Sequence, residues 1–171
     1  MARAGDVLEN TATGDRLTFV QTAAETGGEL LEYELRFVPR GFATRDHLHP
    51  RQEELHHVLE GFLGLVVGGR ERRLQAGESV TVPVATRHRI FKTQEEPILA
   101  RFAIRPALES EVLLETLFAI GRDPNTLQLA VIFDEFAELG RAPRPPAPVQ
   151  RALLKPLAAL GRARGYRARY V

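Results

Sequence analysis

The stretch Gly41-Phe-Ala-Thr-Arg45-Asp-His47-Leu-His49-Pro-Arg-Gln-Glu53-Glu54-Leu-His56-His57-Val-Leu-Glu-Gly61 decides how the chain is read. Two histidines at i and i+2 on extended chain point to the same side. A carboxylate five residues later, past a tight turn, can return to the same point from the next strand. Glu53 and Glu54 both qualify. Alternation with the apolar positions that follow puts Glu54 inward and leaves Glu53 in solvent. Neutral imidazoles with one carboxylate suit borderline divalent metals such as Fe, Mn, Co, Ni, Cu or Zn.

A further donor is available from Gly77-Glu-Ser-Val-Thr-Val-Pro83-Val-Ala85-Thr-Arg87-His88-Arg-Ile-Phe-Lys92. There a strand carrying Val80 and Val82 runs into a proline-containing turn, and a histidine then opens another strand.

Around these segments, residues 16–105 read as β-structure. Glu32-Tyr33-Glu34-Leu35-Arg36-Phe37-Val38 alternates polar and apolar, as a half-buried strand should. Leu17–Thr22, Leu55–Leu59, Phe62–Val67, Ser79–Val82 and Ile98–Arg105 are also strand-like. Turns are expected at Gly27-Gly28, Pro39-Arg40-Gly41, Glu60-Gly61, Gly68-Gly69, Ala76-Gly77 and Glu95-Glu96-Pro97. Many short strands at regular spacing predict a sandwich or barrel. Phe19, Tyr33, Leu35, Phe37, Val58, Leu65, Val80, Val82, Ile90 and Phe102 are its expected filling.

After Pro106 the period changes. Leu113, Leu114, Leu117, Phe118 and Ile120 fall at helical spacing, with Gly121 as a stop. Asp123-Pro124 reads as an N-cap followed by proline at the first helical position, opening a second helix that runs to Leu139 and ends at Gly140. The proline-rich run 141–148 is expected to be an extended linker. A short third helix is expected over Val149–Leu160, despite Pro156.

The two histidine-bearing segments resemble the paired motifs of the cupin superfamily. The first motif, G-x5-H-x-H-x3,4-E-x6-G, is complete at Gly41, His47, His49, Glu54 and Gly61. The second, G-x5-P-x-G-x2-H-x3-N, is present at Gly77, Pro83 and His88 and departs at Ala85 and Lys92, neither a ligand position in the family. The chain is also similar to a subgroup of small cupin-domain proteins with a helical C-terminal extension. Residues 105–108, 115–118, 127–130 and 167–170 match that subgroup, which implies no particular activity.

The resemblance implies a mainly β fold: one cupin jelly-roll β-barrel over residues 1–105, with a helical extension over 106–171. It implies one divalent transition metal (Fe, Mn, Ni, Cu or Zn) on His47, His49, Glu54 and His88, and a homodimer. It does not fix a reaction, because the superfamily includes isomerases, dioxygenases, decarboxylases and binding proteins.

His56 lies two residues after Glu54 and so faces the same interior. It is the candidate general acid/base, its plainer role being a buried structural histidine. His57 faces away. Arg45, two residues before His47, is the candidate clamp for a substrate carboxylate, its plainer role being a solvated loop arginine; Arg87 is a weaker candidate of the same kind. The expected partner is a small molecule, through a dioxygenase-like reaction or through binding alone.

Composition narrows the remaining classes. Hydrophobic residues make up 44%, enough for a core. With no cysteine there are no disulfides, thiolate nucleophiles or cysteine-bound metals, which suits the cytoplasm. Met1 to Asn10 has no apolar core of a secretory signal, and no apolar run is long enough to predict a transmembrane segment. Residues 140–171 hold eight Lys and Arg and no acid, so a net charge of +1 conceals −7 on the rest. The basic tail, with the apolar set Val149, Leu153, Leu157 and Leu160, is expected to dock on the acidic body or a partner subunit rather than on nucleic acid.

Overall fold

The strand Leu31–Phe37 shows how the sequence builds the barrel. Leu31, Tyr33, Leu35 and Phe37 are buried, Glu32 and Glu34 are half-buried on the other face, and Arg36 is exposed. A computed structural model describes residues 2–38, 44–92, 95–120 and 124–170. In chain order the strands are β1 (Val7–Glu9), β2 (Arg16–Gln21), β3 (Leu31–Phe37), β4 (Glu53–Glu60), β5 (Phe62–Val67), β6 (Arg70–Gln75), β7 (Ser79–Val82), β8 (His88–Lys92) and β9 (Ile98–Arg105). They form an antiparallel six-stranded sheet, β1-β2-β3-β9-β4-β7, and a three-stranded sheet, β6-β5-β8.

The inner faces meet in one core. Leu17, Phe19, Leu35, Phe37, Val58, Leu65, Ile90 and Phe102 are buried there, with Val80 packed at its edge. Tyr33 lies opposite Phe102 in the register of β3 and β9, and their rings stack at 5.2 Å. On the outer face of the same strands Glu34 lies opposite Arg101 and pairs with it at 2.6 Å. Such cross-strand pairs hold the register.

Strand β6 has no counterpart in the sequence reading. Its residues Arg70, Glu71, Arg72 and Arg73 are exposed, so it carries no apolar alternation. It exists because Gly68 and Gly69, at φ 57° and 83°, form a two-residue hairpin that pairs Val67 with Arg70. A charged edge of this kind also discourages further strand addition.

Three helices follow: α1 (Ser110–Ala119), α2 (Thr126–Glu135) and α3 (Ala147–Ala163). The expected turn at 39–41, the stop at Gly121 and the cap at Asp123 lie outside the described residues. The cap of α2 is Asn125, whose side chain accepts from the Gln128 N–H at 2.9 Å, so Pro124 precedes the helix instead of opening it. Helix α2 ends at Glu135, not Leu139; residues 136–140 turn back, with the Leu139 and Gly140 N–H groups both donating to the Phe136 carbonyl.

Helix α3 is longer than the spacing predicts and passes through Pro156, which lies on its exposed side. Within the chain, the apolar set of α3 does not dock on the body. Val149, Leu153, Leu157 and Leu160 are 46%, 61%, 38% and 43% exposed, whereas Ala158 and Gly161 are buried against α2. The small residues win because they allow a close helix approach.

The basic tail does find the acidic body. Arg169 bridges Glu109 and Glu135 at 2.8 and 3.1 Å, Arg162 pairs with Asp134 at 2.8 Å, and Arg151 pairs with Glu138 at 2.7 Å. Tyr170 closes the clamp, its hydroxyl donating to Gln128 at 2.8 Å. Among the described residues no helix is long and apolar enough to cross a membrane.

Candidate metal centre

His47 and His49 sit on the extended segment leading into β4. His47 exchanges both main-chain hydrogen bonds with His88, at 3.0 and 2.8 Å, which brings the two halves of the site together. Leu48, pointing the other way, exchanges its own pair with Arg141 of the helical extension, at 2.9 and 3.1 Å. The chain is therefore extended through 47–49, and both rings turn to one side with centroids 5.0 Å apart. Glu54 and His56 are the inward residues of β4, while Glu53 is exposed and His57 half-buried on the opposite face. His88 opens β8 at 1% exposure.

One donor atom from each of His47, His49, Glu54 and His88 lies within 4.8 Å of all the others. Each imidazole has its Nδ1 committed to a backbone carbonyl: His47 to Arg45 at 2.9 Å, His49 to Leu139 at 2.5 Å, His88 to Thr86 at 3.0 Å. An Nδ1–H that donates outward leaves the Nε2 lone pair free, which is the tautomer a metal ligand needs. The Nε2 atoms of His49 and His88 then lie 3.5 and 3.1 Å from the same Glu54 oxygen. Lone pairs facing a carboxylate repel unless a proton or cation lies between them. The buried Nε2 of His49 has no hydrogen-bond partner. The residues fit a borderline divalent ion.

The electrostatics agree. Burial, and then the charges of His88 and His49, push His47 down to about 4, so it stays neutral and able to ligate near pH 7. Burial also disfavours a charge on His49, but the Glu54 carboxylate outweighs it and raises His49. Burial raises Glu54 too, yet His56 and the imidazole donors around it hold it well below the usual carboxylate range. Without metal, protons do part of the work of a cation.

The other candidates fall in different places. His56 is 1% exposed, and its Nε2 is 3.1 Å from the Glu54 oxygen, outside the four-residue group. Its Nδ1 has no hydrogen-bond partner, and its ring is tilted edge-on to Phe102 with centroids 4.9 Å apart. Arg45 is exposed and touches the site through its carbonyl. The Arg87 guanidinium is engaged by Asp46, which it holds below the usual carboxylate range.

Two supports escaped the sequence reading. Gln52, 1% exposed, donates to the Pro106 and Ala107 carbonyls at 2.9 and 3.1 Å, and lies 2.7 Å from the Ser110 hydroxyl. It fastens the ligand loop to the start of α1. The Leu139 carbonyl is the other, and main-chain acceptors leave no residue-type signal.

Ala85 occupies a glycine position of the second motif. It keeps the left-handed backbone, φ 57°, and its N–H donates to the His49 carbonyl at 2.8 Å, so the turn survives the substitution.

The fold can be set beside known structures. KdgF from a Halomonas species is similar at TM-score 0.52 and 22% identity, over 62% of this chain and 90% of that one. An RmlC-like cupin from Shewanella frigidimarina is similar at TM-score 0.51 and 21% identity, over 66% of this chain and 93% of that one. These likenesses establish the fold. No curated protein matches the sequence. Residues 33–103, from β3 to β9 and including His47, His49, Glu54 and His88, match the family described as Cupin domain. That match, the two antiparallel sheets and the similar structures give residues 33–103 the cupin fold.

Proposed function

We propose that this cupin-fold chain holds one divalent transition metal on His47, His49, Glu54 and His88 and acts as a small dioxygenase-like metalloenzyme on a small organic or aromatic substrate. The observation that carries the reading is the convergence of three imidazoles, each with Nδ1 tied back to a carbonyl, on one buried carboxylate. A metal there supplies Lewis acidity and, if redox-active, one-electron chemistry.

His56 is the residue proposed to hold or move a proton. Its buried Nδ1 has no hydrogen-bond partner, and an unpaired buried polar atom costs stability unless a partner arrives with the ligand. Arg45, exposed beside His47, is proposed to clamp a substrate carboxylate. The cysteine-free composition supports a cytoplasmic setting. The exposed apolar residues of α3 support a homodimer, which sedimentation would register as twice the chain mass.

A second reading is a non-catalytic sensor or carrier whose metal tethers a ligand. Oxygen uptake by Fe(II)-loaded protein with diketones, flavonols and thiols separates the two. Turnover that falls in His56→Gln with metal retained supports the enzyme. Saturable binding without uptake supports the carrier and removes the enzyme reading.

A further inference from the structure

We propose that the metal centre is completed from outside the barrel. The main-chain carbonyl of Leu139, in the helical extension, fixes the tautomer and orientation of His49, so docking of the extension and metal binding stabilise each other. The inference rests on the metal-binding reading above.

The three histidines differ in where their outer acceptors come from. His47 and His88 each use a carbonyl two residues away, Arg45 and Thr86, which the barrel supplies locally. His49 uses a carbonyl ninety residues away. With that acceptor gone, the ring can take the other tautomer and donate from Nε2 to the Glu54 oxygen, 3.5 Å distant, placing a proton where the metal would be.

The Leu139 carbonyl is held from both sides. The Leu48–Arg141 pair of hydrogen bonds stitches the segment to the ligand strand, and a Cβ on Gly140 would meet His49 Nδ1 at 3.8 Å, so the segment lies in contact with the ring. The Leu139 side chain, 5% exposed, is buried with Ile132 and Phe136 of the α2 region. Helix α3 packs on α2 through Gly161, and the tail locks α1 to α2 through Arg169. A contact that favours one form of His49 also favours whatever binds that form, and linkage makes the effect reciprocal. Losing an outer acceptor of a metal-bound histidine costs roughly 10–100-fold in affinity.

The test is Zn(II) titration of the full chain and of Arg141→Pro, with amide hydrogen exchange of the wild type with and without Zn(II). The variant removes the N–H that donates to Leu48 and alters no ligand. The expected results are Zn(II) binding about 10–100-fold weaker in Arg141→Pro, and slower exchange at the Leu48 and Arg141 amides of the wild type when Zn(II) is bound. A folded Arg141→Pro with wild-type affinity overturns the proposal. So does unchanged exchange at those amides under saturating Zn(II), which decides the matter even if the variant does not fold. A wild type that binds no Zn(II) or other divalent metal overturns the metal reading itself, and this inference with it.

Discussion

Gly161→Ala pits two opposed effects against each other, and the structure says which prevails. In an exposed helix interior, Gly→Ala gains about 1 kcal/mol from propensity. At Gly161 the added Cβ would stand 2.6 Å from Val131 Cγ2 and 2.9 Å from the Leu127 carbonyl oxygen. The valine can rotate; the carbonyl belongs to a helix backbone and cannot move without shifting α2. Overpacking of this kind costs about 1–3 kcal/mol, and a backbone obstacle puts it near the top of that range. The propensity gain is also reduced, because Gly161 lies in the last turn of α3, where its carbonyl accepts from Arg164 and Tyr166. The net expectation is a loss of about 1–2 kcal/mol, or a Tm lower by about 2–8 °C for a chain of this size. Thermal denaturation followed by circular dichroism reads it, and limited proteolysis should place the new cuts beyond residue 140. A Tm equal to or above wild type would refute close α2–α3 packing as the reason for this glycine.

Ala85→Gly should do the reverse. Relief of a left-handed alanine, worth about 1–2 kcal/mol, exceeds the entropy glycine adds to the unfolded chain, about 0.4–1 kcal/mol. Urea denaturation should show a gain of about 0.5–1 kcal/mol, and a loss would contradict the turn geometry. The His47 contribution in the metal-free protein should also fall on mild acidification, against an opposite contribution from His49, which is raised in the folded state. His47 is held near 4 when folded and near 6.5 when unfolded, so between those values the unfolded chain takes up a proton that the folded one refuses. This contribution is complete above about pH 6.5 and lost as the pH falls to about 4, on the order of 3 kcal/mol; His47→Phe should flatten the profile, and an unchanged slope would count against it. Divalent metal at a hundred times its Kd should add about 2.7 kcal/mol, a Tm rise of roughly 5–11 °C. Glu54→Gln should lose most of that rise, and retention of it would remove Glu54 from the ligand set.

Much of this was legible because period-2 patterning and motif spacing are local signals. Strand β3 follows from its alternation, and Glu54 rather than Glu53 follows from the same alternation in β4. Where the reading failed, a tertiary partner decided the outcome. The charged strand β6 is held by its hairpin to β5, so nothing in its own residues announces it. Gly161 of α3 meets α2 because close approach needs a small side chain, which apolar periodicity does not announce. The Arg45 carbonyl that holds His47 is a main-chain group, which residue type does not announce. The acceptor for His49 is a main-chain oxygen from another region of the fold, visible only once the chain has folded.

The central claim is that His47, His49, Glu54 and His88 hold a metal. Elemental mass spectrometry of protein purified without a histidine tag, beside His49→Ala, tests it most directly. The account predicts about one divalent transition-metal ion per chain in the wild type, since the donor set closes around a single ion, and loss of it in the variant. Full occupancy in His49→Ala, or no metal in the wild type even after reloading, would contradict it.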